Sequence, residues 1–176
     1  MKSARRPQPT NPSSILMKKI LCCALLLCFV PLLQAVPFDA SKPIDLKFTA
    51  VNGDLVDLTK MRGKVVLIDF WATWCPPCRE EVPNVVAAYK KFHDQGFEIV
   101  GISLDKDKAK LDAFTKEHGM VWPQFFDGQG WNNKISSEFG IDSIPAMWLF
   151  DKNGKFVTAD AREDLEAQVE KLLKAP

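Results

Sequence analysis

Val66-Leu67-Ile68-Asp69-Phe70-Trp71-Ala72-Thr73-Trp74-Cys75-Pro76-Pro77-Cys78-Arg79-Glu80-Glu81-Val82-Pro83 changes period half-way along. From Val65 to Trp71 the chain is a near-continuous apolar run rich in β-branched and aromatic residues, the pattern of a strand buried on both faces. From Pro76 to His93 the apolar residues Val82, Val85, Val86, Tyr89 and Phe92 recur at helical spacing. Pro83 is expected to kink that helix, and Gln95-Gly96 to end it. Two cysteines separated by two residues stand where the strand gives way to the helix.

That position has a chemistry. A helix N-terminus offers free backbone N–H groups and the positive end of the helix dipole. A thiolate at Cys75 is stabilised there, so its pKa is expected below the free-thiol value of about 8.5. Cys75 then attacks a substrate disulfide, and Cys78, one turn into the helix, resolves the mixed disulfide. Pro76 and Pro77 lack N–H groups that a first helical turn does not need, and they stiffen the loop. Other uses of the pair fit less well. So short a loop gains little as a structural staple. Zinc would need two more ligands, and only His93 and His118 are available, without finger-like spacing. Covalent haem would need His where Arg79 stands. No metal or cofactor is therefore expected.

The flanks read as a mixed α/β unit. Ile44 to Thr49 alternates, Asn52-Gly53 signals a two-residue hairpin turn, and Leu55 to Leu58 returns as a second strand. Phe97 to Leu104 is a second buried strand, and Asp107 to His118 a helix with Leu111 and Phe114 inward. Trp122 to Phe126 is a short extended piece and Trp131 to Phe139 a short helix. Ala146 to Phe150 is a third core strand. Asn153-Gly154 turns it into Lys155 to Thr158, and Arg162 to Lys174 closes as an amphipathic helix with Leu165, Val169, Leu172 and Leu173 facing in. A mixed central sheet flanked by helices, preceded by an N-terminal β-hairpin, follows. Trp122, Trp131 and Trp148 read as packing.

The first 35 residues read as a leader. Lys18-Lys19 precede the apolar run from Ile20, Pro31 breaks it, and Ala35 offers a cleavage site, which is a secretory signal pattern. The run is too short for a membrane span of about 20 residues; an uncleaved anchor is the alternative. Residues 1–16 are Pro- and Ser-rich without apolar periodicity, and translation is expected to start at Met17, leaving 17–35 as signal and 36–176 as the working domain. That domain carries 18 Lys+Arg and 22 Asp+Glu, a net charge of −4. It has no basic patch to suggest nucleic acid. Cys22, Cys23 and Cys28 leave with the signal, so Cys75 and Cys78 are the only thiols remaining, in a periplasmic or other extracytoplasmic and disulfide-permissive compartment.

The segment from Val66 to Pro83 resembles the active-site segment of the thioredoxin superfamily and is most similar to its exported TlpA/ResA-like branch. Gly101-Ile102-Ser103-Leu104-Asp105 resembles the second core strand of that group, and Ser143-Ile144-Pro145 its cis-proline loop. The resemblance covers about Ile44 to Leu173 and implies a thioredoxin fold and thiol–disulfide exchange. It implies that Pro145 is cis against Cys75 and that Ile144 offers backbone groups to a substrate strand. Asp69, six residues before Cys75, is either a carboxylate meeting solvent at a strand end or a buried acid with a raised pKa that takes the proton of Cys78; the resemblance to thioredoxins favours the acceptor. Asn is common here among TlpA-like proteins, so Asp69 departs towards thioredoxin itself. Glu81 matches a helix acid of the ResA group, or is a solvated charge beside Glu80. Trp74 is expected to shield the pair and Trp71 to lie in the core.

A His within the loop would favour an oxidant; with Pro at both inner positions a reductant is expected, nearer about −270 mV than about −120 mV. The resemblance then implies protein disulfides as substrates, apocytochrome c among the candidates, a membrane thiol relay as electron donor, and a monomer. A peroxiredoxin-like peroxidase and a non-catalytic binding module on the same scaffold are the rival readings.

Overall fold

A computed structural model describes residues 38–176; the expected signal, the extension before it and Cys22, Cys23 and Cys28 lie outside the described residues. The strands are β1 (Lys47–Thr49), β2 (Leu55–Asp57), β3 (Val65–Trp71), β4 (Phe97–Ser103), β5 (Gln124–Phe125), β6 (Ala146–Phe150) and β7 (Phe156–Thr158). The helices are α1 (Pro76–Phe92), α2 (Lys108–His118), α3 (Lys134–Glu138) and α4 (Leu165–Lys174). β1 and β2 form an antiparallel hairpin, and the other five strands form one mixed sheet in the order β5-β4-β3-β6-β7. This is the thioredoxin fold. Among the described residues no helix is long and apolar enough to cross a membrane.

β3 is the sheet's centre and is buried at all seven positions, as its unbroken apolar run requires. It pairs in parallel with β4 and antiparallel with β6, which puts Asp69 opposite Gly101 on one side and Met147 on the other. α1 buries Cys78, Val82, Val85, Ala88 and Phe92. It runs on through Pro83, which lies on its exposed face and leaves the Arg79 carbonyl without its usual intrahelical donor. On another part of the core, Phe38 stacks on Phe139 at 5.0 Å and meets Trp148 edge-on at 5.0 Å, so Trp148 does serve packing.

Four local expectations change. The strands are joined by five residues, 50–54, rather than by Asn52-Gly53 alone: Ala50 N–H donates to Asp54 O and Gly53 N–H to Ala50 O, both at 2.8 Å, and of these residues only Gly53 takes a positive φ, +92°. Ile44 to Leu46 are not strand: Ile44 N–H donates to Gly154 O at 2.7 Å, and Arg62 donates to Ile44 O at 2.7 Å and to Leu58 O at 3.0 Å. Arg62 fits only because Gly154, φ +74°, has no side chain in its way. The Trp131 to Phe139 helix is split. A 3₁₀ turn over Gly130–Asn132 is followed by Asn133, whose side chain caps α3 by accepting from Ile135 and Ser136 N–H at 3.0 Å each. Finally, α4 begins at Leu165 rather than Arg162, since Asp164 sits in the left-handed region at φ +55°.

Candidate active site

The end of β3 delivers a short turn, Ala72-Thr73-Trp74, that is held from below. Asp105, 2% exposed just after β4, accepts Thr73 N–H at 3.1 Å, the Thr73 hydroxyl at 2.6 Å and the Ser103 hydroxyl at 2.8 Å. Leu104 N–H donates to Trp71 O at 2.8 Å. A buried carboxylate this fully bonded fixes the turn, and with it the start of α1. Its role is not visible from sequence alone: an Asp after a strand is common, and Thr73 lies 32 residues away.

Cys75 is the N-cap of α1, with Pro76 and Pro77 in its first turn. Its Sγ accepts the Cys78 N–H at 3.2 Å, so a sulfur takes the place that Ser or Asp commonly fills. Cys75 and Cys78 are joined as a disulfide, with their Cα atoms 5.3 Å apart, and each is 3% exposed. The Ile144–Pro145 peptide is cis, and the Ile144 carbonyl oxygen lies 3.8 Å from Cys75 Sγ. Asp69 is 6% exposed on β3. Burial, with the negative charge of Glu81 on α1 adding to it, pushes its pKa up to about 7. Among the described residues no group of His, Cys, Asp and Glu could hold a metal ion.

Of the tryptophans read as core or packing, Trp131 is the one that departs from that reading. Trp71 is buried and its indole N–H donates to Gln124 Oε1 at 3.0 Å. Trp122 is buried, as packing requires. Trp74 is 49% exposed, its indole N–H 3.4 Å from Leu104 O. Trp131 is not packing: it is 47% exposed, and its ring centroid lies 6.0 Å from that of Trp74.

Comparison with known proteins accords with this geometry. The Redoxin family profile matches residues 35–174. The chain is 33% identical over 127 residues to the thiol-disulfide oxidoreductase ResA of Bacillus thuringiensis (strain Al Hakam), covering 72% of this chain and 71% of the relative. The chain belongs to the Redoxin family, in its ResA-like, thioredoxin-superfamily branch. Solved structures agree with the assignment. The thioredoxin domain of a thiol-disulfide oxidoreductase from Bacteroides vulgatus superposes with a TM-score of 0.68 at 30% identity, over 78% of this chain and 99% of that one. A thiol:disulfide interchange protein from Bacteroides sp. gives 0.64 at 29%, over 76% and 88%. This ResA-like chain is a thiol–disulfide oxidoreductase, and its Cys75–Cys78 pair is the CxxC motif of that activity.

Proposed function

We propose that this oxidoreductase works as an exported reductant of protein disulfides. The observation that carries the reading is Cys75 at the N-cap of α1, its sulfur already accepting the Cys78 N–H. In the dithiol form the same N–H and the helix dipole stabilise a thiolate at Cys75. That thiolate attacks one sulfur of a substrate disulfide, forming a mixed disulfide and releasing the other substrate sulfur as a thiolate that takes a proton. Cys78 gives its proton to Asp69, and its sulfur attacks Cys75 Sγ. The second substrate thiolate leaves, and the enzyme is left with the Cys75–Cys78 disulfide: the substrate gains two electrons and the enzyme loses two.

Asp69 suits the acceptor role because a pKa of about 7 lets it receive and release a proton near neutral pH. Glu81 tunes it by charge. Ile144 and Pro145 form one wall beside Cys75, where a substrate strand would lie, and Trp74 with Pro76 and Pro77 forms the other. Regeneration of the dithiol outside the cytoplasm calls for a membrane thiol relay, and apocytochrome c is a candidate substrate. Equilibration with glutathione tests the direction. A potential near about −270 mV is expected, and one near about −120 mV would overturn the reductant reading.

A further inference from the structure

Against Trp74 lies a cleft of about 220 Å³ whose walls include Trp74, Leu104, Lys106, Gly130 and Trp131. The two indoles are about half exposed, with centroids 6.0 Å apart and planes inclined at 57°, so each keeps apolar surface open to solvent. Gly130 is a cradle in this wall. At φ +59° it carries no side chain, and the stem of Lys106 lies across it, Cε 2.7 Å from where a Cβ would stand. The aliphatic part of Lys106 thus extends the apolar wall, and the residue as a whole is exposed. Among the described residues Lys106 has no carboxylate partner. The acids in the same lining are engaged: Asp105 holds Thr73 and Ser103, and Asp107 caps α2 through Ala109 and Lys110 N–H and faces the Lys110 ammonium, also in the lining, at 4.0 Å.

Trp74, which lines the cleft, is the chain neighbour of Cys75. A polypeptide joined to Cys75 in an extended conformation advances about 3.3 Å per residue. A side chain two residues from the substrate cysteine therefore lies about 6.6 Å along the strand from it, so only residues close to that cysteine stay within reach of Trp74.

We propose that Trp131, Trp74 and Lys106 form a specificity subsite for protein substrates that carry a large apolar side chain within two residues of the reactive cysteine and a carboxylate next to it. This rests on the exchange activity at Cys75. The indoles bury the apolar side chain, and the free ammonium of Lys106 meets the carboxylate.

The test compares kcat/KM for three oxidised peptides of equal length, with Phe-Glu, Phe-Lys or Ala-Ala flanking the cysteine, each divided by kcat/KM for hydroxyethyl disulfide. The small disulfide has no flanks, so its turnover reports the exchange chemistry by itself. The Phe-Glu peptide is expected to lead Ala-Ala by about tenfold, the scale of one well-buried anchor. Trp131→Ala should erase that lead and Trp131→Phe restore most of it. Lys106→Glu should reverse the order of Phe-Glu and Phe-Lys. Equal ratios for all three peptides with the native protein, or ratios unmoved by Trp131→Ala and Lys106→Glu, would overturn the subsite. Loss of hydroxyethyl disulfide turnover in the native protein would instead overturn the exchange activity on which it rests.

Discussion

The side-chain amide of Gln124 occupies the space where a Cβ on Gly101 would have to stand, its Oε1 nearest that point. Gly101 is paired on its other side with Asp69, so a strand position without a side chain separates the buried acid from a buried amide. The same amide oxygen receives the Trp71 indole N–H. Gly101→Ala should therefore displace Gln124 and break a buried hydrogen bond, with a loss of about 2–3 kcal/mol. Urea unfolding checks this. Combining it with Gln124→Ala should recover part of the loss, since the two changes act on one contact.

Asp69 makes stability depend on pH in a defined direction. Its carboxyl titrates at 3.8 when unfolded and at about 7 when folded. Below pH 3.8 both states hold the proton and the group contributes nothing. As pH rises through that value the unfolded chain releases its proton while the folded chain keeps it, so stability falls until about pH 7 and then levels. The full loss is about 4 kcal/mol, at 1.36 kcal/mol per pKa unit. Asp69→Asn should flatten the profile, matching the native protein near pH 4 and exceeding it at pH 8. Unfolding of the disulfide form at the two pH values measures it, and equal stability of variant and native at pH 8 would count against the raised pKa.

Asp105→Ala should loosen the presentation of Cys75. It leaves Thr73 N–H, the Thr73 hydroxyl and the Ser103 hydroxyl without their acceptor, and buried donors so orphaned cost about 1–3 kcal/mol each before water enters. A drop in unfolding free energy with slower exchange on hydroxyethyl disulfide is expected. Asp105→Asn, which keeps one acceptor oxygen, should lose less of both.

The two cysteines should separate in alkylation. After reduction, iodoacetamide is expected to modify Cys75 with an inflection below about 8.5, while Cys78, inside the helix, reacts slowly. Mass-mapped alkylation rates across pH give both values. Cys78→Ser should accumulate mixed disulfides through Cys75, and Cys75→Ser should form none.

Much of this was legible because β3 and β4 are wholly buried apolar runs and β6 is apolar along its length, a pattern that marks the centre of a sheet. Ala146 to Phe150 is a strand from end to end, and the Cys75-Pro76-Pro77-Cys78 junction falls at the helix start the sequence indicates. The elements misjudged are those governed by distant partners. Ile44 to Leu46 alternates like a strand, yet its backbone bonds with Gly154, Arg62 and Leu58. Trp131 looks like any core tryptophan in composition. It sits in a three-residue 3₁₀ turn, too short for a periodicity to say which way it points. Asp105 and Gln124 act through residues 32 and 53 positions away, and no local pattern records such a contact.

The bond from Ile44 to Gly154 bears on the order of assembly. The described chain's early residues close onto its late ones: Phe38 N–H donates to Glu138 O, and Ile44 N–H to Gly154 O. Contacts so far apart in sequence form late, because most of the chain must be present and ordered before they are rewarded. The arm from Phe38 to Ile44 is thus expected to lock after the elements it bonds to are in place. Under the export proposed above, N-terminus first, that order suits passage: the leading arm has nothing to fold against until the residues near Glu138 and Gly154 have followed it across.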